Sequence, residues 1–454
     1  MFFHTWIFAL FMLAFYPLYL LTRKNVSLMN AWILAGSYVF YGWWNPAYLI
    51  LIAATTAFDW YMGLLIGKGK RKKLWITFSL LSNLGLLGFY KYWGFIAANL
   101  AGLGVHLPVA DVLLPVGISF FTFQSMSYTI DVYRGEIPVE RSLVRFAAFV
   151  SLFPQLVAGP IERASNLLPQ LQKAPDISAR DVADGLSHFM VGLFKKLALA
   201  DYLAPYVSSV YASPGEQSGS ALFFGTVAFA WQIYFDFSGY TDMARGVGRV
   251  MGFRFMLNFN NPYVATGLGD FWNRWHISLS TWFKDYVYYP LGGNRGGKGK
   301  TYRNMVITML VSGLWHGAAW TFLIWGALHA IGRVVTRELE QTPFYRDRVP
   351  RAVKQLAVFL FVCVCWVFFR AASVGDAWLV LSRIFTAPWG TSGMPVMMML
   401  MIAAVWAWQF AAESPRIRRV VEWAPVQGAT AAAMFVFLAV VAQSDGQPFI
   451  YFQF

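Results

Sequence analysis

Long apolar runs broken by short polar stretches recur along the chain, at residues 5–22, 46–66, 74–91, 143–158, 219–235, 304–332, 355–369, 396–412 and 429–442. Several approach the roughly 20 residues that an α-helix needs to cross a bilayer, and the shorter ones predict tilted, broken or partly buried helices. The pattern predicts an all-α, polytopic membrane protein of about ten to twelve transmembrane helices with re-entrant or interfacial pieces, since spanning segments must satisfy their own backbone. A single transmembrane domain is expected over residues 1–454. The longest polar stretches, 162–183 and 333–354, read as loops, so no soluble catalytic domain is left over. Any chemistry must sit in the membrane body.

Composition strengthens this reading. The chain is 58% hydrophobic and 18% aromatic but only 13% charged, far more apolar than an ordinary globular domain. The formal net charge of +14 raises the question of a polyanionic partner. Its placement points instead to topology: Arg23 and Lys24, then Lys68, Lys70, Arg71, Lys72 and Lys73, then Arg416, Arg418 and Arg419 fill short breaks, as cytoplasmic loops do. Nucleic acid is therefore not an expected partner, the lipid bilayer is, and counting crossings from the first cluster to the second puts the N-terminus outside. Residues 1–22 have neither a positive leading region nor a small-residue cleavage site, which predicts an uncleaved first span. Trp43, Trp44 and Trp93 read as interfacial belts.

Familiar soluble-enzyme motifs fail. "GGNRGGKGKT" (292–301) has Asn294 where a phosphate loop needs its first glycine, and the register from Gly292 puts Gly299 where Ser or Thr belongs. It reads as a basic, flexible loop. No H-E-x-x-H or G-x-S-x-G is present, and Cys363 and Cys365, two apart in an apolar run, point to opposite helix sides as packing residues. No metal site is expected.

Three constellations carry candidate chemistry. "LWHGAAW" (314–320) places His316 in an apolar run one turn after Ser312, with Gly313 and Gly317 at a spacing that lets another backbone approach. Two readings stand: a helix-packing site with His316 as interhelical donor, or a tunnel lined by a neutral imidazole able to act as base. His329, thirteen residues on, turns about 220° away on a straight helix and reads as packing or capping near a helix end. In "FWNRWHISLSTWFKDYVYYPLGGNR" (271–295), Asn273, His276, Ser280 and Lys284 fall within about 80° on a helical wheel, opposite Trp275, Trp282 and Tyr286. That helix either lies at the membrane surface or turns its polar stripe to a wetted cavity. In "WQIYFDFSGYTDMARG" (231–246), Gln232, Asp236 and Tyr240 share a face; Asp236 needs a partner such as Arg245 or Arg274, in a structural or a functional role.

These segments, with "LPVGISFFTFQSMSYTIDVYRG" (114–135), "SLFPQLVAGPIER" (151–163) and the N-terminal "SYVFYGWWNPAYL", together resemble the membrane-bound O-acyltransferase family, in its bacterial alginate O-acetyltransferase-like branch. The likeness runs from residue 30 to about 335, and the segments around His276 and His316 are its most specific part. It implies a ring of helices around a central funnel in the bacterial inner membrane, the N-terminus periplasmic. His316 would be the catalytic residue and His276 the second site residue, with Asn273, Trp315, Asp236, Tyr240 and Ser280 as substrate-binding candidates. The implied reaction moves an acetyl group from cytoplasmic acetyl-CoA, with no tightly bound cofactor, to a periplasmic SGNH-type acetyltransferase or polysaccharide export complex that O-acetylates an exported glycan. Arg295, Lys298, Lys300 and Arg303 are either topology signals or contacts for the phosphates of coenzyme A. D-alanyl transfer from a carrier-protein thioester toward teichoic acid, or a proton-coupled transporter or channel using the same His and Asp residues, are the alternatives.

Overall fold

The computed structural model describes residues 1–108, 113–157, 159–421 and 423–441. Among them the regular structure is helical, without strands. In chain order the α-helices are α1 (Trp6–Thr22), α2 (Val26–Gly42), α3 (Ala47–Gly67), α4 (Lys72–Leu87), α5 (Trp93–Ala101), α6 (Ile118–Arg134), α7 (Leu143–Ser151), α8 (Phe153–Leu156), α9 (Ala164–Leu171), α10 (Ala179–Phe194), α11 (Asp201–Ala212), α12 (Gly219–Val250), α13 (Leu268–Trp272), α14 (Ile277–Phe283), α15 (Lys298–His316), α16 (Trp320–Gln341), α17 (Arg351–Arg370), α18 (Val374–Thr386), α19 (Val396–Ala412), α20 (Pro415–Val421) and α21 (Ala424–Val441). Internal packing divides the chain into two units, Met1–Phe189 with Tyr240–Met256, and Met190–Gly239 with Leu257–Phe454.

The helix starts follow local chemistry. Thr5 accepts from the Phe8 N–H, Asn25 from those of Ser27 and Leu28, Ser142 from Arg145 and Ser373 from Asp376, each capping the helix that follows. In the first unit, Phe8, Phe11, Phe15, Phe40 and Phe153 form a ring cluster, with Phe15 and Phe153 5.3 Å apart. Tyr19 and Tyr16 donate to the carbonyls of Met251 and Val250, fastening α1 to the last turn of α12.

Most apolar runs become helices close to their expected bounds, and the last extends to residue 442, which lies outside the described residues. Among the described residues two helices, α3 and α17, are long and apolar enough to cross a membrane alone, and α19 with α20 form a bent pair that passes together. Two expectations need correction. The run 304–332 is not one helix: it breaks at residues 317–319 into α15 and α16. The stretch 333–354 is not a loop, because α16 continues to Gln341 and a π-helical turn follows at Phe344–Arg348; 162–183 likewise holds α9 and the start of α10. Outside the apolar runs, α6 is buried along nearly its whole length although Ser, Thr and Gln dilute its apolar pattern. Those groups are satisfied internally, as in Gln124 Nε2 to Phe149 O at 2.8 Å and Thr122 Oγ1 to Ile118 O at 2.6 Å.

Candidate active site

The second unit brings the candidate histidines together. His316 is the last residue of α15, and the extended Gly317 lets the chain reverse into α16. The two helices meet backbone to backbone. A Cβ on Gly313 would lie 2.3 Å from the Phe322 carbonyl oxygen, and one on Gly326 2.4 Å from that of Met309. The close approach expected at Gly313 is present; Gly317 instead ends the helix and lies under the Phe322 ring. The buried imidazole of His316 is set among rings: Trp325 at 4.8 Å, Trp315 at 4.9 Å and Phe369 at 5.3 Å between centroids, all edge to face.

His276 is held differently from the sequence-based expectation. Residues 271–289 are not one amphipathic helix, because the chain leaves α13 at Asn273 and His276 adopts a left-handed conformation (φ 44°) before α14. That turn drives the imidazole into the interior, where it is fully buried, and leaves Asn273, Ser280 and Lys284 on a cavity wall. Its partner is Asn258, which sequence reasoning missed. Asn258 Oδ1 accepts from the Ser278 N–H (3.2 Å) and the Ser278 hydroxyl (2.9 Å), and lies 3.1 Å from His276 Nδ1. A backbone N–H can only donate, so the amide must present oxygen here, and Nδ1 must carry the hydrogen. In the neutral ring, Nε2 then holds the lone pair. His276 lies between helices too short to span a membrane, and burial lowers its pKa to about 3, so the ring is uncharged at neutral pH.

The two imidazoles flank one indole: Trp315 is 4.9 Å from His316 and 5.9 Å from His276. His329 joins them, contrary to expectation. It sits in the body of α16, not near its end, and the break after His316 folds it back so that Trp325 touches both rings, His316 at 4.8 Å and His329 at 4.6 Å. Among the described residues, neither ring nitrogen of His329 has a hydrogen-bond partner.

A cavity of about 560 Å³ lies beside this cluster. Its lining includes Trp272, Asn273, Ser280, Lys284, Arg333 and Arg337, together with the carboxylates of Asp270 and Glu340, the latter 3.8 Å from Arg333. Trp272 packs edge-on against Trp325 (5.7 Å) and His329 (4.9 Å), so aromatic rings separate the cavity from His316. Its cations come from α16 and the turn after α14, not from residues 295–303; the loop expected at 292–301 gives way to α15 at Lys298, which pairs with Glu338 at 3.0 Å.

The remaining candidates are placed elsewhere. Asp236 pairs with neither Arg245 nor Arg274, which reach Asp242 and Asp270 respectively. Its partner is Lys196, in the π-helical turn Lys195–Ala200, whose ammonium lies 2.9 Å from both Asp236 and Asp201. Tyr240 belongs to the first unit, where its buried ring packs on Phe3 at 4.7 Å.

The family model for membrane-bound O-acyltransferases matches residues 135–375, more than half of the chain and inclusive of both His276 and His316. The chain belongs to this family. It is 44% identical over 389 residues to the "Probable alginate O-acetylase AlgI" of Azotobacter vinelandii, covering 83% of this chain and 76% of that protein. It is 36% identical over 389 residues to a peptidoglycan O-acetyltransferase of Helicobacter pylori, covering 79% and 74%. A teichoic acid D-alanyltransferase of Streptococcus thermophilus is 27% identical over 291 residues, covering 61% and 70%. The protein is a membrane-bound acyltransferase, and the alternative of a transporter or channel has no counterpart among these relatives.

Proposed function

We propose that this enzyme moves an acetyl group from cytoplasmic acetyl-CoA across the bacterial inner membrane for O-acetylation of an exported polysaccharide, alginate-like or another cell-surface glycan. The observation that carries this reading is the 560 Å³ cavity with Lys284, Arg333 and Arg337 in its wall, separated from His316 by the Trp272 and Trp325 rings. Guanidinium and ammonium groups suit the phosphates of coenzyme A, while Asn273 and Ser280 offer polar contacts to the arm that carries the thioester. The O-acetylase activity in the name of the alginate relative supports acetyl as the acyl group.

A thioester is already activated, so the protein supplies a base, positioning and a route. His316 takes the proton of the attacking hydroxyl, the hydroxyl oxygen bonds the acetyl carbon, the C–S bond breaks, and the proton returns to the departing thiolate. His276 cannot donate from Nε2 to the acyl carbonyl in its neutral form, because its hydrogen is on Nδ1 toward Asn258. Its lone pair instead accepts from an N–H of the arm that carries the thioester, which leaves the hydroxyl proton to His316, with Trp315 holding both imidazoles in place. In this reading Asp236 acts only through its ion pair with Lys196. The acetyl acceptor outside the membrane is an SGNH-type acetyltransferase, and the N-terminus is periplasmic.

Purified protein in proteoliposomes is expected to release free coenzyme A from acetyl-CoA without any carrier protein. Turnover that required a D-alanyl carrier-protein thioester would instead establish the teichoic acid reading. Asn258 adds a second test. Asn258→Asp keeps the acceptor oxygen for Ser278 and places a carboxylate against Nδ1–H, which favours the imidazolium. The acid limb of the pH–rate profile is then expected to move to higher pH, with activity recovered on the alkaline side. An unshifted profile would detach Asn258 from the reaction.

A further inference from the structure

Asp59 lies within α3, one of the two helices long and apolar enough to cross a membrane, and is fully buried. Among the described residues the partners of its carboxyl are neutral. Ser79 Oγ of α4 lies 2.7 Å from Oδ1, and Asn83 Nδ2 of the same helix donates to Oδ2 at 2.8 Å. Ser79 Oγ is also 3.0 Å from Thr129 Oγ1 of α6, which in turn is 3.1 Å from the carbonyl oxygen of Met126.

Each of these three oxygen–oxygen contacts needs one hydrogen. The hydroxyls of Ser79 and Thr129 carry one apiece, and the Met126 carbonyl carries none. With an ionised Asp59, one contact would set two lone pairs face to face inside the protein. A proton on Oδ1 completes the series: Asp59 donates to Ser79, Ser79 to Thr129, and Thr129 to Met126. The Asn83 amide fits this state, giving one N–H to the carbonyl-like Oδ2 and the other to the Ser79 carbonyl at 2.9 Å.

We propose that Asp59 is a proton-binding site, a carboxylic acid held in its protonated form whose hydrogen ties α3, α4 and α6 together. A neutral acid removes the large cost of a lone carboxylate within a membrane span. The rival occupant is a monovalent cation such as sodium, for which Thr56 Oγ1 and Asn83 Oδ1, both buried without hydrogen-bond partners among the described residues, would be further oxygen ligands.

The test compares the full-length protein with Asp59→Asn and Asp59→Leu. The asparagine keeps both roles, an N–H toward Ser79 and a carbonyl toward Asn83, so its melting temperature is expected to match the wild type. Leucine removes the donor and the acceptor together and is expected to lower it. The infrared difference spectrum of wild type minus Asp59→Asn at neutral pH is expected to contain the carbonyl stretch of a protonated carboxylic acid. Should the leucine variant fail to fold, that spectrum still decides. A difference spectrum with carboxylate bands alone, an asparagine variant that melts as low as the leucine one, or a sodium-dependent rise in melting temperature lost in Asp59→Asn would each overturn the proposal.

Discussion

His316→Ala is expected to lower O-acetylation of the surface polymer by about 10²- to 10⁴-fold, the range over which a positioned general base acts. The argument is geometric. His316 ends α15 at a chain reversal, its ring fixed by Trp315, Trp325 and Phe369, and the cationic cavity lies behind Trp272 and Trp325. Alanine also leaves a hole among these rings, which by itself destabilises. His316→Phe separates the two effects, since it keeps an aromatic ring and removes both nitrogens. Mass spectrometry of the polymer from strains with equal membrane levels of each variant measures the outcome. Full acetylation with His316→Phe would reduce His316 to a packing residue and end the base-catalysis account.

Lys196→Met is expected to cost about 3–5 kcal/mol, the usual penalty for removing one partner of a buried ion group. Its ammonium is 1% exposed and lies 2.9 Å from each of two carboxylates, Asp201 (13% exposed) and Asp236 (4%), so methionine leaves two mutually repelling acids with little water nearby. Burial alone would discharge the lysine, yet the two carboxylates hold it charged. Adding Asp236→Asn to Lys196→Met is expected to restore part of the loss. Thermal melting of detergent-solubilised protein checks both; a single variant that melts with the wild type would mean that the ion group contributes nothing to stability.

Much of the fold was legible because span-length apolar runs are the strongest signal a helical membrane protein writes into its sequence. The breaks were not. Residues 317–319 are small and sit inside an apolar run, so hydropathy reads straight through the reversal that gathers His316 and His329 around Trp325. The left-handed His276 is equally silent, since histidine, though enriched there, adopts such a conformation in only a small minority of positions. A wheel drawn over 271–289 therefore placed His276 beside Asn273, whereas the turn buries one and leaves the other at the cavity. Asn258 and Lys196 were missed for a related reason: they reach their partners across 18 and 40 residues of chain, and no local spacing encodes such pairings.

The glycine contacts between α15 and α16 also limit how the second unit can work. With Gly313 under the Phe322 carbonyl and Gly326 under that of Met309, neither helix can slide or separate without breaking a seam that only glycine permits. Under the proposed reaction, an acyl arm entering from the cavity would then reach His316 by displacing the indoles of Trp272 and Trp325, side-chain valves set in a rigid frame.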